Sequence, residues 1–500
     1  MSLKRNILAA YTGQLYTTGV GILIFPLYIK HMGAEAYGLV GFFTMLQACF
    51  GLLDMGLTPT VGRETARYHG GSISALAYRQ LFRALSLIFL AVAVVGGSCL
   101  FFLADLVAGQ WLNIESLDID TVVIAVQIMS ISVALRWMCG LYRGVVTGSE
   151  RLVWLSAFNV LIATLRFIAV FVSMWQFGFT PLVFFIHQLI VALIEFSGLY
   201  WMGSRLLPGK ASQQEKIGWS FKPIKLVLKF ALTIAFTSSI WVLVTQTDKL
   251  ILSGILSLAE YGYFTLAVLV ASGIIVISGP VSSTVMPRMA RLNAEGKHDE
   301  MIQVYRNATQ LVTVICGSAA ITIAFTAENL LFAWTGDAEL AQQAAPILRL
   351  YAIGNGFLAL AAFPYYLQYA LGNLRYHLIG NAVTACVLIP AIIFAANVYG
   401  ATGAGWVWLS LNGLFLIFWV GFVHHKLEPG LHMKWIFLDI AKIGLPVFLA
   451  LGCLSFISMP AGSRIVEISV VAILSIVALA IAVLASGYAK CFIFRRVKDV

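Results

Sequence analysis

The chain has 500 residues, 60% of them hydrophobic and 11% charged, with a formal net charge of +10. Soluble domains carry about 25% charged residues, so the composition excludes an ordinary soluble enzyme or nucleic-acid-binding domain and points to a polytopic membrane protein. The basic excess then follows the positive-inside rule for membrane loops, and nucleic acid is not an expected partner.

A hydrocarbon core of about 30 Å takes about 20 helical residues to cross, and lipid offers no partner to an open sheet edge, so every span is expected to be helical. Fourteen spans are expected, starting near residues 7, 37, 84, 121, 153, 182, 230, 262, 307, 346, 378, 404, 436 and 466. The first apolar run, 6–29, is longer than a signal-peptide core and has no small-residue cleavage site before His31, which makes it a retained span. Basic residues cluster at alternate connections: Arg63, Arg67, Arg79 and Arg83; Arg205 with the lysines to Lys229; Arg288, Arg291, Lys297 and Arg306; and the tail from Lys490 to Lys498. Acidic residues, such as Asp105 and Glu115 or Glu328 and Asp337, occupy connections on the other side, so both termini are expected to be cytoplasmic.

The chain is organised around Leu53 to Arg67, LDMGLTPTVGRETAR, where an apolar run breaks into a basic segment. Adding 224 to its numbers gives Ile277 to Arg291, ISGPVSSTVMPRMAR, read as a second break of the same kind. The offset also pairs Tyr37-Gly38 with Tyr261-Gly262, and Gly148 and Arg151 with Gly372 and Arg375. Six spans per repeat return the chain to the same side, giving parallel repeats that place a substrate path between them. The expected organisation is an N-terminal lobe over 1–203, an amphipathic cytoplasmic linker over 204–229, a second lobe over 230–425, and two further spans with a basic tail over 426–500. The linker's interleaved Lys, Trp219 and Phe221 suit an anionic leaflet of membrane lipids.

No cofactor is expected. The nearest approach to a P-loop, Gly203 to Ala211, has its glycines one residue too far apart and lacks the Ser or Thr that would hold magnesium. The seven cysteines lie singly and the eight histidines form no HExxH, so neither a disulfide framework nor a metal site is supported. Charge inside spans remains, at about 2.5–3.5 kcal/mol for each group at a helix centre. Arg136 lies deep in span four on the face of Ser132 and Arg143; Arg166 lies in span five, seven residues after Asn159; Glu195 lies in span six, seven residues after Gln188. Arg136 can pair with Asp54 or Glu195 as structural glue, or line a cavity. Asp248 and Lys249 form a neighbouring pair at the outer end of span seven. Gly140, Gly144 and Gly148 let another backbone approach span four, and Pro280, Pro364 and Pro390 should bend their spans.

Met32-Gly33-Ala34-Glu35-Ala36-Tyr37-Gly38, the Leu53–Arg67 stretch, and Thr247-Asp248-Lys249 followed by Tyr261-Gly262 resemble the polysaccharide-transporter branch of the multidrug/oligosaccharidyl-lipid/polysaccharide exporter superfamily, the Wzx-type flippases. The resemblance implies two six-helix lobes in a V. It implies transfer of an undecaprenyl-diphosphate-linked oligosaccharide, such as an O-antigen repeat unit, to the outer leaflet of a bacterial plasma membrane, with proton or sodium counter-flow as the coupling. It also implies a cationic central cavity, a role that falls on Arg136, Arg166 and Lys249, with Arg63, Arg67, Arg288 and Arg291 as a cytoplasmic entrance and Asp54, Glu195 and Asp248 as ion-coupling or salt-bridge groups. Polymerase and chain-length machinery are the protein partners it suggests. Lipid II flippases of the superfamily have basic residues inside span one, where this chain has only Gln14. Two other readings remain open: a cation-coupled drug antiporter, which would call for acidic in-span groups, and a membrane O-antigen polymerase or glycosyltransferase, which would call for a large outer loop.

Overall fold

The computed structural model describes residues 3–54, 56–209, 240, 242–455 and 463–490. Residues 210–229 of the expected linker, the start of span seven, the tail beyond 490 and the side chains of Lys4, Arg5 and Gln14 lie outside the described residues. Ten helices among them are long and apolar enough to cross a membrane.

The chain forms two compact units, Met1–Gly262 and Tyr263–Val500. The first holds α1 (Leu3–Met32), α2 (Ala34–Leu53), α3 (Leu57–His69), α4 (Ala75–Phe102), α5 (Ile119–Gly148), α6 (Leu152–Phe177), α7 (Pro181–Leu206), α8 (242–252) and the first turn of α9 (Leu258–Ala294). The second holds the rest of α9, then α10 (His298–Phe325), α11 (Ala327–Thr335), α12 (Ala338–Ala370), α13 (Arg375–Leu427), α14 (Leu431–Ser455) and α15 (Arg464–Ala485). Helix α13 is two spans joined at Gly400, whose φ of 59° and ψ of −142° leave the helical region. Helices α1, α2 and α8 lie where the remaining three spans are expected. Helix α12 turns at Ala362, where Pro364 sits in the first turn of the segment Phe363–Ala370 and so costs no hydrogen bond.

The repeat is visible in the element boundaries. Helices α2 and α9 start at 34 and 258, an offset of 224; α4 and α10 start at 75 and 298, and α6 and α13 at 152 and 375, each within one residue of it. The expected second break is absent, however, because α9 runs unbroken through 277–291. The cause lies in one position. Gly56, which ends the α2–α3 connection, has φ 69°, a left-handed conformation that glycine adopts freely. Its counterpart is Pro280, whose ring fixes φ near −65° and forbids that turn.

In the first unit, α3 packs closely along α5. Added Cβ atoms on Gly140 and Gly144 would come within 2.6 Å of Thr58 Oγ1 and 2.8 Å of the Thr58 carbonyl oxygen, and one on Gly148 would overlap the Gly62 carbonyl. The end expected to be outer is held by polar contacts. Glu35 accepts from the backbone N–H groups of Glu115 (2.8 Å) and Ser116 (3.1 Å) and from the Ser116 hydroxyl. The Asn113 amide donates to the Ile255 and Leu256 carbonyls, both at 3.1 Å, and Trp111 Nε1 to Ser253 Oγ at 3.0 Å. The glutamate of the Met32–Gly38 motif therefore fixes a loop.

In the second unit, α14 and α15 dock through buried polar groups. Arg306 of α10 donates to the fully buried Asp439 of α14 at 2.7 and 3.1 Å, and Gln310 donates to the same carboxylate at 2.8 Å. Gln310 Oε1 accepts in turn from Ser486 Oγ (3.0 Å) and the Tyr488 N–H (3.1 Å) beyond α15. At the other end of α15, Glu467 accepts from Asn329 at 2.6 Å, and Arg464 donates to the carbonyls of Ala333 and Trp334. Apolar packing of Ile443, Val447 and Leu451 on Leu474, Ala478 and Ala482 closes the seam.

Candidate functional site

Helices α5 and α7 face each other with polar side chains in register. Arg136 and Gln188 form one rung, Nη2 donating to Oε1 at 3.1 Å, and Arg143 and Glu195 form the next, Nη2 donating to Oε1 at 2.8 Å. Both pairs are 52 residues apart in sequence and the rungs are seven residues apart on each helix, the spacing at which two packed helices keep the same faces together. Glu195 Oε2 also lies 4.0 Å from Arg136 Nε, a longer contact than a hydrogen bond. The Arg136 and Glu195 side chains are each 10% exposed, while Arg143 is 38% exposed.

Arg166 reaches the same place from α6. It lies in a π turn, Thr164–Ala169, where the i→i+5 pattern takes up one extra residue. Bulges of this kind need outside partners for the carbonyls they free, and α7 supplies them: His187 Nε2 meets the Leu165 carbonyl and the Gln188 amide nitrogen Nε2 donates to the Arg166 carbonyl, each at 2.9 Å. Tyr28 donates to the Phe167 carbonyl at 2.9 Å. The Arg166 guanidinium donates to Gln47 Oε1 of α2 at 2.6 Å, and Arg136 Nη1 donates to the same oxygen at 2.7 Å. Two cations thus converge on one neutral acceptor. Ring faces of Phe43 and Phe167 lie 5.3 and 5.7 Å from the two guanidinium carbons, adding a weak attraction.

Beside this cluster is a cavity of about 250 Å³, lined by Gln47, Phe50 and Gly51 of α2, Asp54 and Thr58 of the break, and Val133, Arg136, Trp137 and Gly140 of α5. Arg136 Nε is buried and has no hydrogen-bond acceptor. Asp54, considered from sequence as a partner for an in-span arginine, instead caps α3: Oδ1 accepts from the Thr58 N–H at 3.1 Å and from Thr58 Oγ1 at 2.7 Å. Its carboxylate shares the cavity with Arg136, and the ion pair forms with Glu195. Two guanidiniums, of Arg136 and Arg143, therefore flank one carboxylate, and Arg166 joins the cluster through Gln47.

The other candidates have other partners or lie exposed. Lys249 Nζ pairs with the buried Asp248 at 3.3 Å and donates to the Thr245 carbonyl at 2.6 Å. Arg67 pairs with the buried Glu64 at 2.9 Å, and Arg63 lies 3.9 Å from it. In the second unit Arg288 is exposed, and Arg291 donates to Glu295 at 2.6 Å, which holds the Glu295 carboxyl below its ordinary range. Ser132, on the sequence-derived face of Arg136, turns back to the Ile128 carbonyl at 2.9 Å. Gln47, the acceptor common to both buried arginines, has no sequence signal beyond being an uncharged polar residue inside an apolar span. Among the described residues no group of three or more His, Cys, Asp or Glu is placed to hold a metal ion.

Solved structures share this fold along nearly the whole chain. A lipid II flippase, MurJ in an inward closed conformation, is similar at a TM-score of 0.71 and 14% identity, covering 98% of this chain and 99% of that one. A multidrug resistance MATE family transporter of the MOP superfamily, inward-facing, is similar at 0.68 and 13% identity, covering 87% and 99%. A MOP superfamily transporter from Pyrococcus furiosus, described as having a binding pocket of reversed polarity, is similar at 0.55 and 13%, covering 85% and 95%. No curated protein matches the sequence. Residues 3–293, more than half of the chain, match the family described as polysaccharide biosynthesis protein. With that match, the chain belongs to the family described as polysaccharide biosynthesis protein, and its fold is the one those MOP superfamily structures share.

Proposed function

We propose that this protein is a flippase for polyprenyl-diphosphate-linked glycans, and that Arg136 and Arg166 receive the diphosphate. The observation that carries the reading is the convergence of their guanidiniums on Gln47 Oε1, at 2.7 and 2.6 Å, beside a cavity within membrane-crossing helices. Burying charge in a span is costly, and a neutral amide shared by two cations repays little of that cost. A phosphate repays far more, because arginine's fork binds its oxygens in pairs and remains charged throughout. The arrangement is ready for an anion. A cluster of three arginines with a single glutamate also argues against a cationic drug as cargo.

In this reading the two repeats, 1–203 and 230–425, act as lobes that expose the site alternately to the cytoplasmic and outer leaflets of a bacterial inner membrane. Both termini are cytoplasmic. Arg63, Arg67, Arg288 and Arg291 form the basic approach from the cytoplasm, and Lys249 is an auxiliary cation held by Asp248. Proton or sodium counter-flow supplies the coupling, and the glycan passes to polymerase and chain-length machinery outside.

Undecaprenyl diphosphate binding to the purified protein in lipid nanodiscs, together with glycan export in cells, tests the proposal. Arg136→Gln and Arg166→Gln should each weaken binding and export at least tenfold at equal membrane levels. Wild-type values for both variants would overturn the assignment.

A further inference from the structure

The second unit contains a buried hydrogen-bond chain that links α10, α13 and α14. His424 of α13 and His432 of α14 meet Nδ1 to Nδ1 at 3.1 Å across the short turn between spans twelve and thirteen. His424 is fully buried, and its Nε2 lies 2.7 Å from the hydroxyl of Tyr305 in α10. The ring of His432, only partly buried, also hydrogen-bonds the Ile417 backbone carbonyl. Gly421 makes room for it, since a Cβ there would lie 3.0 Å from His432 Nε2.

These partners fix every proton of the neutral chain. A carbonyl only accepts, so His432 carries its hydrogen on Nε2 and presents a lone pair at Nδ1. His424 must then donate from Nδ1, which leaves its Nε2 as the acceptor for the Tyr305 O–H. One added proton fits: the pair then holds a hydrogen on each outer nitrogen and one on the shared axis, and the Tyr305 oxygen changes from donor to acceptor. A second does not, because two N–H groups would face each other at 3.1 Å.

We propose that His424 and His432 form a site for a single proton, sensed at the joint between spans twelve and thirteen. Groups from every packed element frame it. Helix α10 brings Tyr305 and Arg306, the latter neutralised by Asp439 of α14 at 2.7 Å. Helix α12 brings Phe363, edge-on to Tyr305 at 5.7 Å, with Tyr366 behind it. The joining turn brings Glu428, paired with His298 at 2.7 Å, while His425, Lys426 and Lys434 are exposed. Within the site the two imidazoles are the groups whose ordinary titration falls between about pH 5 and 8, and their proton belongs to the pair jointly. The proposal is independent of what the cavity in the first unit binds.

Trp435 reports on the site, since its ring stacks on His432 at 6.2 Å and meets His424 edge-on at 5.1 Å. An imidazolium at that range quenches indole emission. In the fluorescence difference between the unsubstituted protein and its Trp435→Phe variant, emission should fall about twofold in one step between about pH 7 and pH 4. His424→Gln and His432→Gln, each measured against its own Trp435→Phe partner, should abolish the step. A flat difference in the unsubstituted protein, or a step surviving in both histidine variants, overturns the proposal. If the variants do not fold, NMR of ε1-¹³C-histidine protein decides it: two of the eight histidine signals moving with one midpoint support the shared site, and the absence of such a pair removes it.

Discussion

Gly38 and Gly262 occupy equivalent positions in the repeat, and each packs against the first residue of the other's helix. A Cβ on Gly38 would overlap the Leu258 carbonyl oxygen, and one on Gly262 would lie 2.7 Å from that of Ala34 and 3.2 Å from the Gly38 nitrogen. Residues 34 and 258 are themselves equivalent under the offset of 224, so this crossing is reciprocal. Gly38→Ala should destabilise the protein by about 1–3 kcal/mol, more than Gly262→Ala, because it meets rigid backbone at shorter range. Gly273→Ala, with nothing within 4 Å, should gain about 0.4–1 kcal/mol by stiffening the unfolded chain. Thermal unfolding in detergent gives the order, and equal midpoints for Gly38→Ala and Gly273→Ala would contradict it.

Gln47 holds two cations with one neutral oxygen, so Gln47→Glu should strengthen both contacts, a hydrogen bond to a charged group being worth about 1.5–3 kcal/mol. The same carboxylate would occupy the place proposed for phosphate. The variant is therefore expected to melt higher and to transport at least tenfold more slowly. A variant that is both more stable and fully active would show that the arginines serve packing alone.

Glu195 competes with any anion for Arg143 and, at 4.0 Å, for Arg136. Glu195→Gln keeps the shape while removing that competition, so diphosphate lipid should bind more tightly, by about tenfold, and leave more slowly. Export should fall without loss of binding. Weakened binding in an equilibrium titration would count against Glu195 as a competitor.

The two last spans depend on Asp439. Asp439→Asn leaves Arg306 buried without its counter-charge and should cost about 3–5 kcal/mol, whereas replacing both partners by apolar residues, Arg306→Met with Asp439→Leu, should restore most of it. Limited proteolysis would report the loosening of α14 and α15. Unchanged protection in Asp439→Asn would mean that the apolar seam alone holds them.

Spans are legible in the sequence because their signal, a long apolar run, is local and strong; among the described residues each expected start falls inside or beside an observed helix. Arg136, Arg143, Gln188 and Glu195 are legible too, since a seven-residue spacing on straight helices keeps a face. Arg166 stands out as a charge within a span, but its face does not. An i→i+5 turn adds one residue, rotating the rest of the helix by about 100°, so the seven-residue relation to Asn159 does not carry over. The expected break at 277–291 fails because proline punctuates soluble helices more reliably than membrane ones, which retain it when neighbours satisfy the freed carbonyls. Gln47 escapes a sequence reading because it acts through residues 89 and 119 positions away, and no local pattern encodes such a meeting.

The π turn in α6 has a mechanical consequence. Helix α6 carries one residue more than regular winding would use, and that slack sits under Arg166. Passing it one turn along the helix would swing the guanidinium away from Gln47 while both ends of α6 stay in place. In the proposed flippase, migration of that backbone dislocation would release the headgroup locally, apart from any movement of the lobes.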